Sequence, residues 1–235
     1  MTSFTDLPLG ARPPGRWALR AAWVIADTPA GRHLVPDGEV VIEGGQVIHV
    51  GTAFEGEVAA RYDMGQALIA PGFVDLDALS DLDTTLLAHD NWPGDKKGRV
   101  WPRSYVDHGP YEMYSPEELA FQKRFAFGQL LLNGITSAAP IASLFYREWG
   151  ETVAEFTAAA EAAEELGLRV WLGPAYRSGG MIAEADGRLT AEFNEARGMA
   201  GLDAAIGFAA KWQGHDLISP LLAPDRVETC TEDLL

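Results

Sequence analysis

"LIAPGFVDLDALSDLD", residues 68–83, is the stretch on which the fold turns. An apolar run meets Pro71-Gly72, a short β-like piece follows, and then Asp75, Asp77, Asp81 and Asp83 fall within nine residues. Carboxylates in such a cluster suit metal ligation, acid/base chemistry, or plain capping of a polar loop after a strand. What lies on either side decides among them.

Upstream, residues 17–63 read as all-β. "RWALRAAWVIA" is rich in β-branched and aromatic residues, and "DGEVVIEGGQVIHVG" sets two apolar runs around Gly44-Gly45, a hairpin signal. Downstream the pattern alternates between strands and helices. "ALIAPGFVDL" reads as the first strand. A helix starts at "SPEEL", where Ser115 caps, Pro116 takes the first turn and Glu118 completes a capping box; Asn133-Gly134 stops it. "ITSAAP" is a second strand, Glu151 to Leu166 a helix, and "LRVWLGPAY" a third strand. Thr190 to about Trp212 reads as a further helix before "LISPLLAP", the fourth strand. Strands separated by helices imply parallel βαβ units. In "TCTEDLL", Thr229 and Glu232 have capping-box spacing, so a helix is expected to begin there, as in a chain that stops within an element.

The chain has 235 residues, 47% hydrophobic and 22% charged, which suits a folded α/β protein. A net charge of −16, spread along the chain, disfavours nucleic acid and anionic membranes as partners. Cys230 is the single cysteine, which excludes an intrachain disulfide and a cysteine-based zinc site. "MTSFTDLPLGARPPGRW" lacks the continuous apolar core of a signal peptide, and no run approaches the ~18 apolar residues of a membrane span. The expected location is cytoplasmic.

Three features resemble the amidohydrolase superfamily of metal-dependent hydrolases, in its aminohydrolase/chlorohydrolase-like branch, and together they span nearly the whole chain. "DGEVVIEGGQVIHVG" is similar to the N-terminal sandwich strands of these enzymes. "LIAPGFVDLDA" stands where the family has Pro-Gly-Phe-(Val/Ile)-Asp-x-His-x-His on barrel strand 1. "LLNGITSA", followed by "AEELGLRVWLGPAYRSG", is similar to strands 2 and 3. The resemblance implies an N-terminal β-sandwich piece, residues 1–65, and the first four βα units of a (β/α)8 TIM-like barrel, residues 66–235. It implies hydrolysis of C–N, sometimes C–Cl or C–S, bonds of a small non-peptide molecule. A divalent metal (Zn, Co, Mn or Fe) would acidify the attacking water.

The departures from the family pattern are equally specific. The two histidines of its first motif fall on Asp77, a weak candidate metal ligand, and on Leu79, which has no donor atom. Lys211, the lysine nearest strand 4, precedes that strand and so cannot be the bridging lysine of binuclear members. The remaining ligands of the family belong to strands 5, 6 and 8. The resemblance therefore implies the N-terminal half of an enzyme, truncated and inactive alone, without a retained metal. The expected partner is a second copy or a complementary second-half chain. One alternative is a non-catalytic remnant or binding module of the same fold. A remote one is a haloacid-dehalogenase-type phosphatase, from Asp81-x-Asp83-x-Thr85, but that motif should directly follow the first strand of a doubly wound sheet.

Substrate-contact candidates sit in two places. The long aromatic, Gly- and Pro-rich segment after strand 1 offers His89, Trp92, Trp101, Arg103 and Tyr111, and also contains His108. The segments after strands 3 and 4 offer Tyr176 and Arg177, and Asp225 and Arg226. An arginine there can grip an anionic group, although salt-bridging is its commoner fate. No pair of histidines has a metal-chelating spacing. Cys230 reads as a buried small residue rather than a nucleophile.

Overall fold

Gly44 and Gly45 both take positive φ, 58° and 78°, the geometry of a tight hairpin turn that residues with a Cβ adopt only at a cost. They join β2 (Gly31–Glu43) to β3 (Gln46–Gly51), so the Gly-Gly hairpin forms where the sequence places it. The structure is a computed structural model that describes residues 14–29, 31–78, 100–108, 114–140 and 151–235. The chain divides into two units, Met1–Gly72 and Phe73–Leu235.

In the first unit β1 (Arg16–Thr28) pairs antiparallel with β2 along its whole length. β4 (Ala60–Asp63) and β5 (Leu68–Ile69) then run parallel to β1. Val24, Ala26, Val35 and Val40 form its core, with Ile42, Val50 and Ile69 packed against them. Glu39 is buried there, yet its carboxylate accepts from Arg61 Nε at 2.5 Å and from the Phe54 N–H at 2.7 Å. Burial pushes the Glu39 carboxyl up, but these two bonds and the Arg61 charge outweigh it and hold the group below its ordinary value.

The second unit is built on β6 (Phe73–Ala78), β8 (Ile135–Pro140), β9 (Arg169–Leu172) and β13 (Ile218–Pro220). All four are parallel, in the order β13-β9-β8-β6, each beside its neighbour in sequence. Parallel neighbours need long crossovers, and helices supply them. α2 (Pro116–Leu132) precedes β8, α3 (Val153–Leu166) precedes β9, and α4 (Glu195–Trp212) precedes β13. Ser115 and Glu118 form the expected capping box on α2. Alanines 159, 160, 162 and 163 give α3 a small-residue buried face. Around it Phe127, Phe156, Leu168, Val170, Leu172, Phe208 and Ile218 make the main core. Between α2 and α3 lies a buried ion pair, Lys123 Nζ to Glu155 Oε1 at 3.0 Å. Among the described strands the order along this sheet does not reverse, so they form no switch point of the kind a doubly wound phosphatase needs. Among the described residues no helix is long and apolar enough to cross a membrane.

Several elements differ from the sequence expectation. "ALIAPGFVDL" is two strands in two sheets: β5 pairs with β1, β6 with β8, and Pro71, lacking an N–H, cannot carry a ladder across. "LRVWLGPAY" breaks at Gly173-Pro174 into β9 and β10 (Ala175–Tyr176), and "LISPLLAP" into β13 and β14 (Ala223–Pro224). The helix expected from Thr190 starts at Glu195, because Leu189–Phe193 forms strand β12, antiparallel to β11 (Gly179–Ala183), and Asn194 caps the helix by accepting from the Arg197 N–H. That hairpin was legible: Asp186-Gly187, with Gly187 at φ 84°, lies between two alternating segments. At the C-terminus, Val227–Thr229 and Glu232–Leu234 are single 3₁₀ turns. Thr229 caps nothing beyond them, because its hydroxyl is engaged with Asp225 and Arg226.

Candidate functional site

The sheet's C-terminal end is shaped by Gly173. A Cβ there would lie 2.0 Å from the Leu221 carbonyl oxygen, so only glycine lets the chain leaving β9 touch the chain leaving β13. The Leu221 N–H donates to the Leu172 carbonyl at 3.1 Å, β10 then pairs parallel with β14, and the Asp225 N–H donates to the Tyr176 carbonyl at 2.9 Å. Arg177 and Asp225, far apart in sequence, thus become neighbours just past the ends of β9 and β13. Sites of α/β sheets form at this end of the strands.

Arg177 is buried, and its Nη1 donates to Asp225 Oδ2 at 3.1 Å. The same oxygen meets Arg226 Nε at 3.3 Å and Thr229 Oγ1 at 3.2 Å, while Arg226 Nη1 lies 3.3 Å from Glu228. Two guanidinium groups therefore share one carboxylate, and Glu228 balances the second charge. A buried guanidinium requires such a partner. Of the two arginines offered as substrate contacts, with salt-bridging the commoner fate, both are found in ion pairs with Asp225, Arg177 buried and Arg226 partly exposed.

Tyr176, next to Arg177 in sequence, packs in a buried cluster with Ala205, Cys230 and Leu234. Burial pushes the Tyr176 hydroxyl up, as does negative charge at Cys230, and burial likewise pushes the Cys230 thiol up. A thiol kept neutral is a poor nucleophile, which agrees with its reading as packing. Ser178 and Thr231 were missed, since nothing local marks them. The Thr231 N–H donates to Ser178 Oγ at 3.0 Å and its hydroxyl to Glu195 Oε2 at 2.5 Å, tying the C-terminal turns to the start of α4.

Arg103 lies elsewhere. It opens α1 (Arg103–His108), directly after β7 (Trp101–Pro102), which pairs with β11. Its guanidinium grips Glu184 with two bonds, at 3.1 and 2.9 Å, and Glu192 with a third at 2.9 Å. Thr190 Oγ1 donates to Glu184 at 2.6 Å. Arg103 thus ties α1 to the β11–β12 hairpin. Its bonds, with that of Thr190, hold the Glu184 carboxyl at about 2, against an ordinary 4.5. A carboxyl lowered in the folded state stabilises above its unfolded value, and that contribution is lost as pH falls through the folded value. Acid unfolding should therefore show a loss of stability between about pH 4.5 and 2 that Arg103→Met reduces. Urea midpoints measured across that window check it.

Asp77 is exposed on β6, and its N–H donates to Asp75 Oδ1 at 3.0 Å where the pairing of β6 with β8 is irregular. Among the described residues no three side chains of His, Cys, Asp or Glu gather as a metal site. One exposed carboxylate, with leucine two residues on, does not fit the divalent metal that the resemblance implies. His89, Trp92, Tyr111, Leu79, Asp81, Asp83 and Thr85 lie outside the described residues, and of Trp101 the backbone alone is described.

Over nearly its whole length the chain shares a fold with part of several solved deaminases and hydrolases. No protein-family model and no curated protein matches the sequence. Among solved structures, guanine deaminase of E. coli superposes with a TM-score of 0.62 at 19% identity, covering 94% of this chain and 48% of the other. Triazine hydrolase from Arthrobacter aurescens gives 0.62 at 18%, with the same coverage. An adenosine deaminase from Xanthomonas campestris, with bound zinc, gives 0.56 at 16%, covering 90% and 44%. This chain spans about half the length of the structures it matches.

Proposed function

We propose that this chain belongs to an amidohydrolase-type hydrolase acting on a non-peptide C–N bond of a small molecule, and that it holds the first four βα units of the barrel behind an N-terminal sandwich piece. The observation that carries this reading is the run of four parallel strands in sequence order, in a fold shared with two deaminases and a triazine hydrolase. Arg226 and the Asp225 that holds it stand where a polar substrate group would be met. The divalent metal of the whole enzyme would take its ligands from residues other than those described. A second reading, a scaffold without chemistry, is favoured by Asp77 and Leu79 in place of two histidines.

Co-expression with a second half of such a barrel, fused or as a separate chain, separates the two. The hydrolase reading expects ammonia release from aminated purines, pyrimidines or triazines once Zn²⁺ is supplied. A folded, zinc-loaded product inert across that panel would leave the scaffold reading.

A further inference from the structure

We propose that two copies of this chain associate edge to edge through β6 and β13, closing eight parallel strands about a two-fold axis along the strand direction. The inference rests on the four-unit reading above. Among the described strands, β6 pairs only with β8 and β13 only with β9, so each end of the sheet leaves one row of backbone groups unpaired. Such edges pair with another strand unless blocked. β6 exposes apolar side chains along this edge, Phe73 at 69%, Val74 at 57% and Leu76 at 72%, while Asp75 and Asp77 on the same strand add to the charge that opposes pairing.

The outer helices carry the same signal. On α2, Phe121, Phe125 and Leu132 recur at offsets of four and eleven, on one stripe well away from its buried face of Leu119, Gln122, Lys123 and Ala126. Phe121 and Phe125 stack at 6.2 Å between ring centroids, and Leu132 is 80% exposed. A helix apolar on two sides belongs inside a larger body. On α4, Met199 and Ile206, seven apart, form an exposed stripe distinct from the buried Ala205, Phe208 and Trp212. α3 packs against both α2 and α4, so these stripes flank opposite ends of the sheet.

A second copy fits both ends with one operation. Rotation by a half-turn about the strand direction keeps all strands parallel and brings β6 of each copy to β13 of the other. Both seams are then made at once, and no open edge is left to propagate a filament. Four strands from each copy give eight, the number at which a parallel barrel is just filled by side chains. Pro220 withholds one N–H donor from the β13 seam, and the net charge of −16 on each copy opposes association. Pairing should therefore tighten with salt, as that repulsion is screened.

The test is sedimentation equilibrium of the purified chain at low and at ~0.5 M salt, where the repulsion acts over only a few ångströms. The expected mass is about twice the 25.4 kDa of the chain, with the dimer favoured at higher salt. Phe121→Glu, on the β6 side of each seam, and Ile206→Glu, on its β13 side, should each weaken the dimer at least tenfold. Both side chains are exposed in the single copy, so circular dichroism should not change. Val47→Glu, an exposed apolar position in the first unit, should leave the mass unaltered. A monomer at every concentration and salt overturns the proposal, as does a dimer indifferent to both seam variants, or an open polymer. A monomeric chain that supports hydrolysis after co-expression would overturn the pairing alone. A seam-dependent dimer in a protein without hydrolase activity would overturn only the hydrolase reading.

Discussion

Replacing Lys123 with methionine, with Glu155 left in place, is expected to destabilise the second unit by about 3–5 kcal/mol. The two side chains are almost wholly buried, on α2 and α3, with Nζ 3.0 Å from Oε1. Their mutual attraction offsets the cost of taking both charges from water. Removing the lysine leaves a carboxylate in the core without its ion partner, or forces it to take up a proton. The double variant Lys123→Met with Glu155→Leu removes that penalty and is expected to recover most of the loss, or exceed the parent. Urea unfolding followed by tryptophan fluorescence checks both. A single variant within 1 kcal/mol of the parent would show that the pair is solvated in solution, against the geometry.

Gly173→Ala is the second large effect. The new methyl would stand 2.0 Å from the Leu221 carbonyl oxygen and 3.0 Å from its carbon, and backbone cannot swing aside as a side chain can. Accommodation requires the segments after β9 and β13 to part, with loss of the Leu221–Leu172 hydrogen bond and of the β10–β14 pair that aligns Arg177 with Asp225. The expected cost is at least the ~1–3 kcal/mol of ordinary overpacking. Gly207→Ala is the matched control. It lies within α4 with nothing within 4 Å of the new Cβ, and should stabilise by up to ~1 kcal/mol through helix propensity. Opposite signs for the two glycine-to-alanine changes, read from thermal melts, are the expected result.

Gly173 also illustrates what the sequence could and could not reveal. Local chemistry was legible: Ser115 with Glu118, Gly44 with Gly45, and Asn133 with Gly134 each mark a boundary with atoms a few residues apart. The alternation of strands and helices was legible for the same reason. Breaks inside strands were less so, because Pro71 and Gly173-Pro174 read as parts of apolar runs until the pairing partners are known. The candidate site depended most on distant contacts. Arg177 and Arg103 looked alike, as arginines in loops, and only the approach of Asp225 and of Glu184 shows that each is spent on the framework. Thr229 was noticed for its spacing to Glu232, while its partners are Asp225 and Arg226, on the other side of it in sequence.

The stretch at residues 68–83 resembles the first-strand motif of metal-dependent hydrolases, yet has Asp77 and Leu79 where that motif has its histidines. Metal content of the purified chain, after equilibration with Zn²⁺, Co²⁺ or Mn²⁺ and desalting, tests this most directly. The account predicts well under one ion retained per chain and no turnover of aminated heterocycles. About one tightly held ion per chain, accompanied by hydrolysis, would contradict it.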